Sequence, residues 1–173
     1  MNVLCIDEGA YSLDWILQCK KYGHQVKWFI RDEKPGERSH VGDGFGIERV
    51  TDWEKVIQTG WPDLIFQTDN VRYCKQLDRY RDNFCIIGPS EEARKWEHDR
   101  VHGMDILNAA SIKTPDYYVF SNYDKAEEFI RKEAKKNPEK RFVSKPSGDA
   151  DKALSYCANS PADMLSMFSR WTR

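Results

Sequence analysis

Residues 84–100 read FCIIGPSEEARKWEHDR, and the fold turns on them. Phe84 to Ile87 is an apolar run of strand length, and Gly88-Pro89 breaks it. Ser90 is a residue type that caps helices, and Glu91 and Glu92 put negative charge at the positive end of the next element. The pattern predicts one long helix from Ser90 to about Ala110. A strand, a sharp turn and a capped helix thus succeed one another without a linker.

Upstream, strand and helix alternate in the same way. Met1 to Ile6 is apolar and ends in Asp7-Glu8-Gly9, a strand and a turn. Leu13, Trp15, Ile16, Leu17 and Cys19 have helical spacing, with Gly23 as the stop. Gln25 to Ile30 (QVKWFI) is a second strand, and Lys34 to Gly46, rich in Gly and charge, is a loop. Asp52 is placed to cap a short helix over Trp53 to Thr59, with Gly60 after it. Leu64-Ile65-Phe66, introduced by Pro62-Asp63, is apolar on both faces and is expected to be a central strand. Val71 to Tyr80 reads as a helix. This alternation argues for a parallel sheet covered by helices.

Downstream the order changes. Tyr117 to Phe120 is expected to be a strand. Asp124 to about Lys136 is a helix stopped by Asn137-Pro138, Phe142 to Ser144 a strand, and Pro161 to Trp171 a final helix. The shift at Gly88-Pro89-Ser90 suggests two domains, residues 1–89 and 90–173.

Composition narrows the function classes. The 173 residues carry a formal charge of -1, so no global field favours nucleic acid or an anionic membrane. Charged residues reach 32%, yet six Trp, eight Tyr and eight Phe supply enough apolar surface for a packed core rather than disorder. No apolar run approaches the roughly 18 residues that would span a bilayer. MNVLCIDEG enters a strand with no basic leader, so the expected location is the cytoplasm. Cys5, Cys19, Cys74, Cys85 and Cys157 form no C-x-x-C pair and read as buried, reduced thiols rather than a disulfide framework or zinc site.

Several stretches suggest chemistry. The first turn, Asp7 to Ser12, has one glycine, too few for a dinucleotide fingerprint, and reads as an ordinary βα turn. VGDGFG, Val41 to Gly46, lacks the Gly-Lys-Ser/Thr ending of a phosphate loop and reads as a connector. His98 and His102 are four apart, hence on one face of the expected helix, but only Glu97 or Asp105 could add a third ligand. A solvated charged face is the plainer reading. Asp7-Glu8, Asp69 and Lys145 mimic a phospho-receiver domain, in which acids bind Mg²⁺, an aspartate takes the phosphoryl group and a lysine senses it. Lys145 lies a long helix, a strand and another helix beyond Ile87, too far along for that fold, and the receiver stays a runner-up.

PDLIFQTD (62–69), the 84–100 stretch, SIKTPDYYVF (111–120) and FVSKPSG (142–148) together resemble the phosphoribosylamine–glycine ligase family, ATP-grasp enzymes of purine synthesis. The resemblance covers about the whole chain and is strongest from Asp63 to Gly148. It implies an α/β fold: a Rossmann-like parallel sheet, the pre-ATP-grasp domain, over residues 1–89, then the start of an ATP-grasp domain over 90–173. It implies ATP as the nucleotide, with Arg100 and Lys145 on its phosphates, Gly148 opening the loop that closes over them, and Lys152 a further candidate there. It places Gly9 and Asp69 on the substrate side. The implied substrates are ATP, a carboxylate such as glycine and a ribosylamine phosphate, with no nucleic acid or membrane partner.

The chain also departs from the family. Arg100 stands where the family usually has Lys. The family's Gly-Gly-Arg-Glu-His loop is replaced by Glu8-Gly9-Ala10-Tyr11-Ser12, and its Gly-Pro-Glu by Gln67-Thr68-Asp69. The family's adenine strand and its Mg²⁺-binding Glu and Asn correspond to positions beyond Arg173, so by resemblance this chain alone is expected to be inactive. A non-catalytic remnant that binds a nucleotide or a partner protein is the reading from a different class.

Overall fold

The run from Asn2 to Asp7 becomes β1, the middle strand of a five-stranded parallel sheet. The computed structural model describes residues 1–32, 34, 36–68, 72–148 and 155–172. They fall into two compact units, Met1–Arg94 and Lys95–Arg173.

In the first unit β1 is followed by α1 (Leu13–Lys21), β2 (Gln25–Ile30), β3 (Glu48–Val50), α2 (Trp53–Gln58), β4 (Leu64–Gln67), α3 (Cys74–Asp78) and β5 (Cys85–Ile87). The sheet order is β3-β2-β1-β4-β5, every pair parallel. β1 is buried at every position after Asn2, and its alternation serves two cores. Val3 and Cys5 pack with Ile16, Cys19 and Trp28 on one face. Leu4 and Ile6 pack with Trp53, Ile57, Ile65 and Leu77 on the other. Each such buried side chain contributes about 1.5–3 kcal/mol.

Two expectations change here, and one strand is new. The strand at Leu64 is interior but not the middle one: it packs on both faces, Leu64 and Phe66 on one core and Ile65 in the other, yet only β5 lies beyond it, whereas β1 has two strands on either side. β3 was not legible in the sequence. It is three partly exposed residues on the sheet edge, held by pairing to β2 and by Arg49, whose Nη1 donates to the carbonyls of Ser39 and Val41. The expected helix over Val71 to Tyr80 shortens to α3. Asp78 ends it, accepting from Arg81 Nε (2.7 Å) and from the Glu91 amide (2.9 Å); Val71 lies outside the described residues.

The sheet order also separates this fold from a receiver, whose doubly wound order is 2-1-3-4-5. The strand that precedes Lys145 belongs to a different sheet altogether.

The expected long helix after Ser90 is two helices, α4 (Glu91–His98) and α5 (Arg100–Ala109), broken at Asp99. His98 and His102 therefore lie on different helices, and their spacing no longer places them on one face. The second unit continues with α6 (Tyr123–Lys136), β6 (Val143–Ser144), β7 (Tyr156–Cys157) and α7 (Pro161–Trp171). Its core joins Ala126 and Ile130 of α6, Ala158, and Met164 and Phe168 of α7. β6 pairs antiparallel with β7, two residues long and not foreseen from the sequence. The expected strand at Tyr117 to Phe120 does not form. Its aromatics rest on a helix instead of a neighbouring backbone, with the Tyr118 and Phe120 rings 4.3 and 5.4 Å from that of Phe129.

None of the five cysteines is in a disulfide. Cys5, Cys19 and Cys74 are buried as expected, while Cys85 and Cys157 are exposed, the one on the edge strand β5 and the other on the two-residue β7. No described helix is long and apolar enough to cross a membrane.

Candidate functional site

In the first unit the strand order reverses between β1 and β4, which makes the carboxyl ends of those strands the crevice where such sheets receive ligands. Gly9 lies in the turn after β1, under the exposed ring of Tyr11. Asp69 lies outside the described residues.

The centre of this crevice is occupied by the chain itself. Asp7 is fully buried, and its carboxylate accepts the amides of Tyr11 (3.1 Å) and Ser12 (2.7 Å) at the start of α1. Those amides are the ones an incoming phosphate would use at a helix N-terminus. Thr68 Oγ1 donates to the same carboxylate at 3.1 Å and ties the ends of β1 and β4 together. Glu8 pairs with Arg31 (3.1 Å) and with Arg72. The expectation that the first turn is no dinucleotide loop thus gains a physical cause beyond its glycine count. Cys5, beneath the turn, is no nucleophile at neutral pH: burial pushes its thiol up to about 12.

The second unit carries a different arrangement at the break between α4 and α5. Asp99 leaves helical geometry (φ -96°, ψ 96°), and its carboxylate accepts the amides of Val101 and His102, both at 3.1 Å. The loop after β6 supplies the rest. The Gly148 amide donates to the His98 carbonyl at 2.7 Å, the Arg100 amide to Ser147 Oγ at 3.1 Å, and Arg100 Nε to the Pro146 carbonyl at 2.7 Å. Three consecutive loop residues thereby take up backbone groups that the broken helix leaves unmatched, and the Arg100 guanidinium. Gly148 has φ +78°, a conformation that suits glycine. Gly103 lets the helices meet: a β-carbon there would sit 2.2 Å from the Trp96 carbonyl oxygen.

This clasp involves two of the residues singled out from the sequence, Arg100 and Gly148, and Lys145 immediately precedes its Pro146; Lys152 lies outside the described residues. Lys145 and Arg100 are both exposed. Neither pairs with a carboxylate among the described residues, and Asp99, next to Arg100, is turned to helix amides. Sequence reasoning missed Asp99 and Ser147. A signal existed: Asp99 is followed four residues later by Gly103, a helix weakener in the middle of an expected helix. Asp7 and Thr68 were missed as a pair because their contact spans 61 positions of sequence.

No protein-family model matches the chain, and no curated protein matches it. Solved structures do. Phosphoribosylamine–glycine ligase from Thermotoga maritima superposes with a TM-score of 0.63 at 17% identity, over 98% of this chain and 39% of that one. An ADP complex of N5-carboxyaminoimidazole ribonucleotide synthetase gives 0.63 at 17% identity, over 97% and 43%. The ADP complex of the N5-carboxyaminoimidazole synthetase of Staphylococcus aureus gives 0.62 at 18%, over 97% and 44%. The chain therefore spans less than half the length of each. The fold is α/β, and its five-stranded parallel sheet matches the N-terminal domain of ATP-grasp ligases.

Proposed function

We propose that this chain is the N-terminal part of an ATP-grasp ligase of ribonucleotide synthesis, working in the cytoplasm. On this reading residues 1–89 are the pre-ATP-grasp domain and 90–173 the beginning of the ATP-grasp region. The observation that carries it is the clasp. It ties exposed Arg100, at the start of a helix, to Pro146 and Ser147, the residues that follow exposed Lys145 at the end of a strand. The chain's solved neighbours include two ADP complexes. Arg100 takes phosphate oxygens as a planar fork and Lys145 as a point charge. Gly148 opens the loop beside them.

The parent reaction uses ATP to convert a carboxylate into an acyl phosphate, releasing ADP. An amine then attacks the acyl carbon, the C–O bond to phosphate breaks, and an amide and inorganic phosphate remain. Phosphoribosylamine–glycine ligase and N5-carboxyaminoimidazole ribonucleotide synthetase are the kinds of enzyme to which this chain would correspond. Gly9, in the turn after β1, and Asp69 would face the ribosylamine or ribonucleotide. Among the described residues there is no group of three or more His, Cys, Asp or Glu able to hold a metal ion.

Few contacts hold the phosphates here, so affinity should be on the order of millimolar. The test is a titration of ATP into the full chain, followed by backbone amide signals. Arg100, Lys145 and Gly148 should shift together, less so at high salt, and Lys145→Ala should abolish the shifts with the fold intact. Saturating ATP that moves nothing at these positions, or a Lys145→Ala chain that unfolds, would make the lysine structural and sink the reading.

A further inference from the structure

We infer that Ser147 is a positioning residue for phosphate: its hydroxyl locks the loop after β6 onto the α4–α5 break so that Lys145 and Arg100 are presented as a pair. The inference rests on the nucleotide reading above and goes past it, since Ser147 need not touch the ligand. Ser147 is exposed and belongs to no apolar cluster, so hydrogen bonds rather than packing hold it. Its Oγ accepts the Arg100 amide at 3.1 Å, the one amide of the first turn of α5 that Asp99 does not reach. On either side, Pro146 receives Arg100 Nε and Gly148 reaches the His98 carbonyl.

The energetic logic favours an anion. Arg100 is held to the residue that follows Lys145, neither cation pairs with a carboxylate among the described residues, and a polyanion would attract both. The Ser147 bond to the Arg100 amide sets the register in which the adjacent Pro146 carbonyl takes the Arg100 side chain, so the loop fixes a cation as well as closing the helix break. Loss of the Ser147 hydroxyl leaves both cations present and charged, but no longer held in register.

The experiment compares wild type, Ser147→Ala, Ser147→Thr and Lys145→Ala by calorimetric titration with ATP and with inorganic tripolyphosphate, alongside melting temperatures. Ser147→Ala should bind both about threefold to tenfold more weakly, the cost of one hydrogen bond. Ser147→Thr should restore the affinity, and all the Ser147 variants should melt near wild type. If wild type and Lys145→Ala differ but Ser147→Ala binds like wild type, the positioning role is wrong and the nucleotide reading stands. If Ser147→Ala loses affinity only in step with a fall in melting temperature that Ser147→Thr does not restore, Ser147 is merely structural. If wild type binds neither ligand, the nucleotide reading falls and this inference with it.

Discussion

The Gly148 amide donates to the carbonyl oxygen of His98 at 2.7 Å, so the loop that leaves β6 ends where α4 ends. Positions 50 apart in sequence share one hydrogen bond, and the α4–α5 break and the Lys145 loop form a single piece of structure. The same two features, read separately in the sequence, look like a continuous helix and an isolated strand end.

Gly103 tests that junction. Glycine to alanine inside a helix ordinarily stabilises by about 1 kcal/mol. Here the added carbon would stand 2.2 Å from a backbone oxygen of Trp96, which is not a flexible side-chain end that can swing away. Gly103→Ala should therefore destabilise by about 1–3 kcal/mol, the opposite sign to the helix rule. Urea unfolding measures it, and a stabilised variant would show that α4 and α5 do not meet this closely.

Asp7 holds three donors from a fully buried position. Asp7→Ala should strand the Tyr11 and Ser12 amides and the Thr68 hydroxyl and cost about 2–4 kcal/mol. Asp7→Asn, which keeps one accepting oxygen, should cost less. Denaturant midpoints of the two variants give the order. Equal, small losses would mean that the turn does not depend on this carboxylate.

Glu133 sets a pH dependence in the second unit. Hydrogen bonds from Lys136 and Lys140 hold its carboxyl at about 2, below its ordinary 4.5. A carboxyl lowered by folding stabilises the folded state above 4.5, and that contribution fades as pH falls toward 2. Glu133→Gln should flatten the stability–pH curve across this window and leave the curve near neutrality with the same slope. Acid titration of the melting temperature decides it; a variant as acid-sensitive as wild type would show that Glu133 contributes nothing to the pH dependence.

Elements whose stabilising groups are local were legible in the sequence. β2 and α7 have the bounds read from their apolar patterns. Asp52 caps α2 through the Lys55 amide, and Ser90 Oγ accepts the Ala93 amide at 3.1 Å, as residue type and spacing implied. The parallel sheet followed from the alternation of strand and helix. Which strand is central emerged only on folding, because it depends on which strands lie on either side. β3 and β7 likewise are too short to carry a pattern and form only by pairing with another strand. Packing denied a strand to Tyr117 through Phe120, whose composition fits a strand but whose rings found a helix. At the candidate site the sequence supplied Arg100, Lys145 and Gly148 as separate points. The clasp that holds Arg100 and Gly148 required the helix to break at Asp99, and that break is stabilised by groups from Pro146 to Gly148, nearly fifty residues away, which no local window contains.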